Sequence, residues 1–281
     1  MSIVDVKQIV ENKKVKLKRE ILDLRDKGIV PKLAVILAND SDASRVYVGR
    51  KRKLCHELGI EETEYLFDEK VTTDNILKVI TKLNNDPEVD GILVQLPLFK
   101  HLDESRIIDS IVPEKDVDGF SAINVGRLYQ GKDEIVPCTP KGVLTILKEL
   151  EPELKGKNAV VVGRSQIVGK PMAALLLNEN MTVTICHSAT TNLPEHTRTA
   201  DVLVVATGIP HLIKENMVKE GAIVIDVGMT RVKEKLVGDV DTENVEKVAK
   251  YVTPVPGGVG LTTVYSLAEN VVEIAKNRKK W

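Results

Sequence analysis

The chain has 281 residues, 43% of them hydrophobic, which is enough for one large domain or two modest ones. Lys and Arg number 40 against 41 Asp and Glu, for a net charge of −1. Neither a basic excess for nucleic acid nor an acidic tail marks the chain, and no apolar signal core or bilayer-length apolar run appears, so a soluble cytoplasmic protein is expected.

Residues 5–27 read as one amphipathic helix: Val6, Ile9, Val10, Leu17, Ile21 and Leu24 recur at helical spacing, lysines fill the other face and Gly28 stops it. Lys32–Ala38 reads as a strand. A helix from Ser44 to Leu58 follows, carrying SRVYVGRKRK and ending at Gly59, then a strand over Glu61–Phe67. Thr73 is placed as the cap of a helix that runs to Asn85, where Asp86–Pro87 breaks it. Gly91–Leu96 is a buried strand that leads into QLPLF. This alternation predicts a parallel sheet with helical crossovers. PEKDVDGF, Pro113–Phe120, has no periodicity and reads as a hinge or site loop.

Thr139–Pro140 is placed as the cap of a helix through Leu150. Asn158–Met172, NAVVVGRSQIVGKPM, then organises the second half. Ala159–Val162 is too short for a helix and rich in valine, hence a buried parallel strand. The chain turns at Gly163 through Arg164 and Ser165 to Gly169, and Pro171 suits the first turn of a helix. Such a strand, glycine turn and helix N-terminus offers free N–H groups and a dipole to an anion. The G-x-G-x-x-G dinucleotide fingerprint is not matched, so an ordinary βα turn stands beside the nucleotide reading. Met181–His187, Val202–Ala206 and Ala222–Val227 read as further strands. They make four strands of a doubly wound sheet with a ligand at their C-terminal ends. PVPGGVGLTT, Pro254–Thr263, is read as irregular backbone able to approach a ligand closely. Thr263–Lys276 is helical by pattern, and Trp281 is a loose terminal residue. Cys55, Cys138 and Cys186 form no C-x-x-C pair and fit small core residues in a reducing compartment. The five histidines include no H-x-x-x-H or H-E-x-x-H, so no metal site is expected.

Tyr47 and Lys51 are four residues apart on a helix, so a phenol and an ammonium share one face. They either converge on a substrate or are a lysine stem packed on a ring. Lysine does acid–base work when burial or a neighbouring cation lowers its pKa, and Arg50 and Arg52 either supply that charge or face water. Gln95 ends an apolar strand, where it reads as a ligand group or as a loop hydrogen bond. Of Asp116 and Asp118, one reads as the holder of an N–H-rich ring, or both as turn formers. The strand that ends Thr184-Ile185-Cys186-His187-Ser188 lacks the acid that usually holds an NAD ribose, and Arg164 stands in the cradle. That pattern favours a 2′-phosphate and hence NADP, unless Arg164 binds the pyrophosphate.

Taken together, YVGRKRK, GILVQLPL, PEKDVDGF, PCTPKG, GRSQIVGKPM, TVTICHSAT, ADVLVVATG, VIDVG and PVPGGVG follow one another in an order that resembles the bifunctional methylenetetrahydrofolate dehydrogenase/methenyltetrahydrofolate cyclohydrolase family. The resemblance runs from about Ala34 to the last helix. It implies two α/β domains with a cleft between them. Residues 1–135 would form a folate and catalytic domain on which a C-terminal helix, 261–281, packs back, and 136–260 a Rossmann-like NADP domain. It also implies a homodimer and a folate substrate. By similarity Lys51 is the central catalytic residue, Tyr47 stacks on or orients the folate, Gln95 keeps Lys51 in a useful protonation state and Asp118 holds the pterin. Gly163, Arg164, Ser165, Ser188 and Met229 contact NADP, and Pro256, Gly257 and Gly258 close over the folate. The implied chemistry is hydride loss from methylenetetrahydrofolate to NADP, then addition of water to the methenyl cation and ring opening to formyltetrahydrofolate. The family commonly has glycine at Asn39, proline at Asp42 and Pro-Met-Thr at Leu261-Thr262-Thr263, departures that bear on loop shape and folate affinity. Two rivals are a shikimate-type dehydrogenase and a nucleotide-binding regulatory protein that has lost catalysis; QLPL, PGGVG and an intact Lys51 argue against them.

Overall fold

A computed structural model describes residues 2–132 and 135–278, apart from the side chains of residues 42 and 43. The reading of Trp281 and the side chain of Asp42 therefore lie outside the described residues. The first half runs α1 (Val6–Asp26), β1 (Lys32–Leu37), α2 (Asp42–Leu58), β2 (Glu61–Leu66), α3 (Thr73–Asn84), β3 (Gly91–Gln95), α4 (Glu104–Asp109) and α5 (Ala122–Tyr129). The second runs α6 (Cys138–Leu150), β4 (Asn158–Val162), α7 (Gly169–Asn178), β5 (Thr182–Cys186), α8 (Leu193–Thr197), β6 (Val202–Val205), β7 (Ile223–Asp226), β8 (Thr230–Val232), β9 (Lys235–Val237), α9 (Thr242–Val245), β10 (Tyr251–Val252) and α10 (Val259–Asn277). Among the described residues, 12–127, 135–138 and 264–278 form one compact unit, and 2–11, 128–132 and 139–263 another. No helix among the described residues is long and apolar enough to cross a membrane.

The first unit is built on a parallel sheet in the order β2-β1-β3. Alternate residues of β1, Ala34 and Ile36, share a buried cluster with Ile76, Ile80 and Leu83 of α3 and Ile92 and Val94 of β3. Strand period two meets helical spacing of four and three there, and each fully buried isoleucine stabilises by roughly 1.5–3 kcal/mol. The cap of α3 is Thr72, not Thr73. Its hydroxyl accepts from the Asn75 amide at 3.3 Å while Asn75 Oδ1 accepts from the Thr72 amide at 3.2 Å, a reciprocal pair that Thr73 has no such partner to form. Helix α2 starts at Ser41, whose hydroxyl accepts from Ser44 N, and ends at Gly59 in the left-handed conformation.

Helix α10 supplies the rest of this core. Asn270 is buried and its amide donates to the carbonyls of Val117 and Val136, both at 2.9 Å. Arg278 donates to Asp90 at 2.7 and 2.6 Å, and Asp90 in turn accepts from the Lys32 amide where β1 begins. Gly91 has no room for a Cβ, which would collide with Val117. The helix starts at Val259, four residues before its expected start and inside the glycine-rich run. Thr262 and Thr263 both donate their hydroxyls to the Val259 carbonyl at 3.0 Å, and Thr262 is wholly buried in this first turn.

The second unit carries a five-stranded parallel sheet, β10-β7-β6-β4-β5. It holds the four expected strands plus β10, a two-residue edge too short to show a pattern. The β8–β9 hairpin also went unforeseen. The register aligns Val162 with Cys186 and Val205, and Val205 with Asp226. The residues that follow these strands therefore emerge along one edge. The break in strand order falls between β4 and β6, the place where such sheets take ligands.

Candidate functional site

On α2, Tyr47 and Lys51 share a face as their spacing requires. Lys51 is 5% exposed. Its Nζ donates to Gln95 Oε1 at 3.0 Å and lies 5.1 Å from the centroid of the Tyr47 ring. The face of the ring favours a cation there. Gln95 ends β3, and its amide nitrogen is held by the Leu96 carbonyl at 2.8 Å, which turns the oxygen to Lys51. Arg50 and Arg52 do not join this cluster: Arg50 is exposed and Arg52 pairs with Glu64 at 3.0 Å.

The two aspartates of KDVDG separate by role. Pro113–Lys115 is one 3-10 turn, and Asp116 after it is buried. Its carboxylate accepts from the amides of Gly119 at 3.0 Å and Ser121 at 2.8 Å and from Asn124 Nδ2 at 3.1 Å. Asp116 thus forms the turn. Asp118 is partly buried; burial pushes its carboxyl above the usual range, while the Lys51 ammonium and the Cys138 thiol pull it back. Cys138 also donates to the Val117 carbonyl at 3.3 Å. Cys138 and Asn270 were missed from sequence. An asparagine on the apolar face of the last helix was the signal available for the second. Asn39, one of the departures, bonds Pro97 O at 2.7 Å and accepts from Ser41 N, tying the end of β1 to the QLPL segment. All three cysteines are buried and free, and burial pushes the Cys55 thiol up to about 12. Among the described residues no group of three or more His, Cys, Asp or Glu is arranged to hold a metal.

In the second unit, Gly163 ends β4 at φ 132°, where a Cβ would strike the Ala206 carbonyl. Gly169 is as tightly held, since a Cβ there would strike the Gly163 carbonyl. The turn between them differs from the free cradle expected. Ser165 Oγ accepts from the amides of Val168 at 3.2 Å and Gly169 at 3.3 Å, and Ser165 O accepts from Lys170 N. Three donors at the start of α7 are thus taken within the chain. Arg164 and Ser165 remain exposed, as does Ser188 after β5. Ile167, Ile209 and Met229 follow β4, β6 and β7 and are 45%, 53% and 52% exposed. An edge with a close-packed glycine turn, an exposed arginine and exposed apolar side chains fits a dinucleotide with anionic and aromatic parts. Pro256 and Gly257 are exposed in the turn before α10, and Gly258 is buried with no room for a Cβ beside the Pro254 carbonyl. They belong to this unit, whereas Tyr47, Lys51, Gln95 and Asp118 belong to the other.

Residues 4–118 match the family model for the tetrahydrofolate dehydrogenase/cyclohydrolase catalytic domain, and residues 137–279 that for its NAD(P)-binding domain. The chain is 52% identical to the bifunctional protein FolD of Campylobacter hominis, over all of this chain and 99% of that one. Among solved structures it superposes with a TM-score of 0.96 on the bifunctional FolD of Campylobacter jejuni, at 48% identity over 99% of both chains. The Trypanosoma brucei methylenetetrahydrofolate dehydrogenase-cyclohydrolase, solved with NADP cofactor and an inhibitor, gives 0.93 at 36% identity over 99% of this chain and 98% of its own. With both domain models matched in order and half the residues identical along the whole length of a relative, the chain belongs to the tetrahydrofolate dehydrogenase/cyclohydrolase family and combines those two activities.

Proposed function

We propose that the chain oxidises methylenetetrahydrofolate by hydride loss to NADP and then hydrolyses the methenyl cation, with Lys51 carrying the proton of the hydrolytic step. The observation that carries this reading is the burial of the Lys51 amine between the Gln95 amide oxygen and the Tyr47 ring. Asp118 holds the ring N–H groups of the pterin, and Tyr47 orients the folate over the amine. Bound NADP supplies the hydride acceptor. The methenyl carbon is then electrophilic enough that water needs only a modest base. Lys51 takes the proton released as water adds and returns it to the ring nitrogen as the carbon–nitrogen bond opens, while the hydroxyl proton of the adduct leaves to solvent as the carbonyl forms, so methenyl cation and water give formyltetrahydrofolate and one proton. Gln95 fixes the direction of the amine throughout, and Pro256, Gly257 and Gly258 close over the folate.

Gly163, Arg164, Ser165, Ser188 and Met229 hold the nucleotide, with residues 136–260 as its domain and 1–135 with 261–281 as the folate domain. Arg164 meets the 2′-phosphate. The exposed guanidinium, the absence of an acid after β5 and the NADP complex of the Trypanosoma brucei relative support that choice. The family resemblance supports a homodimer at work in the cytoplasm. The test is an initial-rate comparison of both nucleotides with methylenetetrahydrofolate, following the methenyl product and its decay. NADP is expected to be preferred. Arg164→Ala should raise its KM about 10–100-fold, the loss of one charge-assisted pair, and leave the KM for NAD within threefold. Equal or better turnover with NAD in the unaltered protein would overturn the choice.

A further inference from the structure

Two buried carboxylates stand behind the nucleotide edge, and none of the roles above uses them. Asp239 is wholly buried, and its Oδ2 accepts from Thr207 N at 2.6 Å, Thr207 Oγ1 at 2.9 Å and Gly208 N at 2.9 Å. Asp226, at the end of β7, accepts from Gly228 N at 2.9 Å and Asp239 N at 3.0 Å through Oδ1, and from Val240 N at 2.9 Å through Oδ2. The two motifs interlock. The place a Cβ would take on Gly228 is filled by the Asp239 carboxylate, and the place on Gly238 by that of Asp226. Thr230 Oγ1 then joins the two turns by donating to Gly208 O at 3.1 Å. The second oxygen of Asp239 is buried with no hydrogen bond. A native fold keeps such an orphan where the rest of the group is committed to something it needs. Here that commitment is the turn after β6.

We propose that Asp239 is a positioning residue for the nicotinamide half of the nucleotide. This rests on the nucleotide reading above. In a doubly wound sheet the dinucleotide spans the break in strand order, one half over the strand after the cradle and the other over the strands beyond the break. Beyond the break lie β6 and β7. Their turns present Ile209 and Met229, the exposed side chains that would meet the nicotinamide. Asp239 fixes the first turn through three donors and, through its contact with Gly228, the second.

The test titrates NADP and NAD into the unaltered protein, Asp239→Ala, Asp239→Asn and Thr207→Val by calorimetry, with both activities and thermal stability read on each. For whichever nucleotide the unaltered protein prefers, Asp239→Ala should weaken binding at least tenfold and lower the ratio of dehydrogenase to cyclohydrolase turnover by a similar factor. Asp239→Asn should recover most of the affinity, because its amide oxygen can face the same three donors and its nitrogen the orphan place. Thr207→Val keeps the shape, removes one donor and should weaken binding about threefold, so it decides the matter if Asp239→Ala does not fold. Unaltered protein that binds neither nucleotide removes the nucleotide reading and this inference with it. Binding that Asp239→Ala and Thr207→Val leave unchanged, or both activities falling in equal proportion, overturns this inference alone.

Discussion

Asp116 and Asp118 stand two residues apart and meet opposite surroundings. Asp116 commits its oxygens to its own turn, whereas the Asp118 carboxyl feels the Lys51 ammonium and the Cys138 thiol and is the one proposed to hold the pterin. Asp118→Asn should therefore raise the folate KM about 10–100-fold, the loss of a charge-assisted hydrogen bond, with the nucleotide KM within twofold in initial-rate measurements. A folate KM that does not move would return Asp118 to the turn formers. That Tyr47 and Lys51 share a face and that Gln95 ends a strand was legible in the sequence, because helical spacing and a strand end fix where side chains point; their roles in catalysis came from the family resemblance alone. The division between the two aspartates was not, since it depends on Cys138 and Asn124, which the chain brings in from elsewhere. Nor was the use of Ser165 Oγ by Val168 and Gly169, which engages two amides of the glycine turn that the sequence leaves free.

Helix α10 is the element on which the site loop depends. Asn270 satisfies the carbonyls on either side of the segment that carries Asp118. Removing its amide takes the donor from the Val136 carbonyl and leaves the Val117 carbonyl with the Cys138 thiol, so Asn270→Ala should cost about 1–3 kcal/mol in denaturant unfolding. It should also lower the cyclohydrolase rate by freeing the Val117 backbone next to Asp118. Unchanged stability would show that the loop is held by other means. The strands after residue 158 were readable because continuous valine runs suit a sheet buried on both faces. The start of α10 was not, because PGGVG argues against a helix and the packing of its first turn comes from afar, with buried Thr262 filling the place of a Cβ on Gly142. Strand β10 escaped because two residues carry no period, and the pairing that makes them a strand comes from β7.

At the scale of the whole molecule, near-neutral charge hides several carboxyls drawn out of water, and two of them, Glu62 and Asp226, carry a pH signature. Both oxygens of Glu62 are buried without a hydrogen bond, and burial, with Glu64 beside it, pushes the group from 4.5 up to about 7. Burial pushes Asp226 from 3.8 up to about 6. A folded-state pKa above the unfolded one means the folded state binds more protons, so stability falls as pH rises through these windows, from about 4 to about 7. Glu62→Gln should flatten the upper part of that fall and gain roughly 1 kcal/mol at pH 8, after discounting for partial exposure and for the amide it buries. Unfolding curves from pH 4 to 8 on both proteins check this, and parallel slopes would contradict it. The role of Lys51 is tested by the decay of methenyltetrahydrofolate in the presence of Lys51→Ala protein that has been shown to fold and to bind nucleotide. A fall in the hydrolysis rate of about 10²–10⁴-fold, the usual contribution of a positioned acid–base group, is predicted. Hydrolysis at the unaltered rate would contradict the account and remove Lys51 from the mechanism.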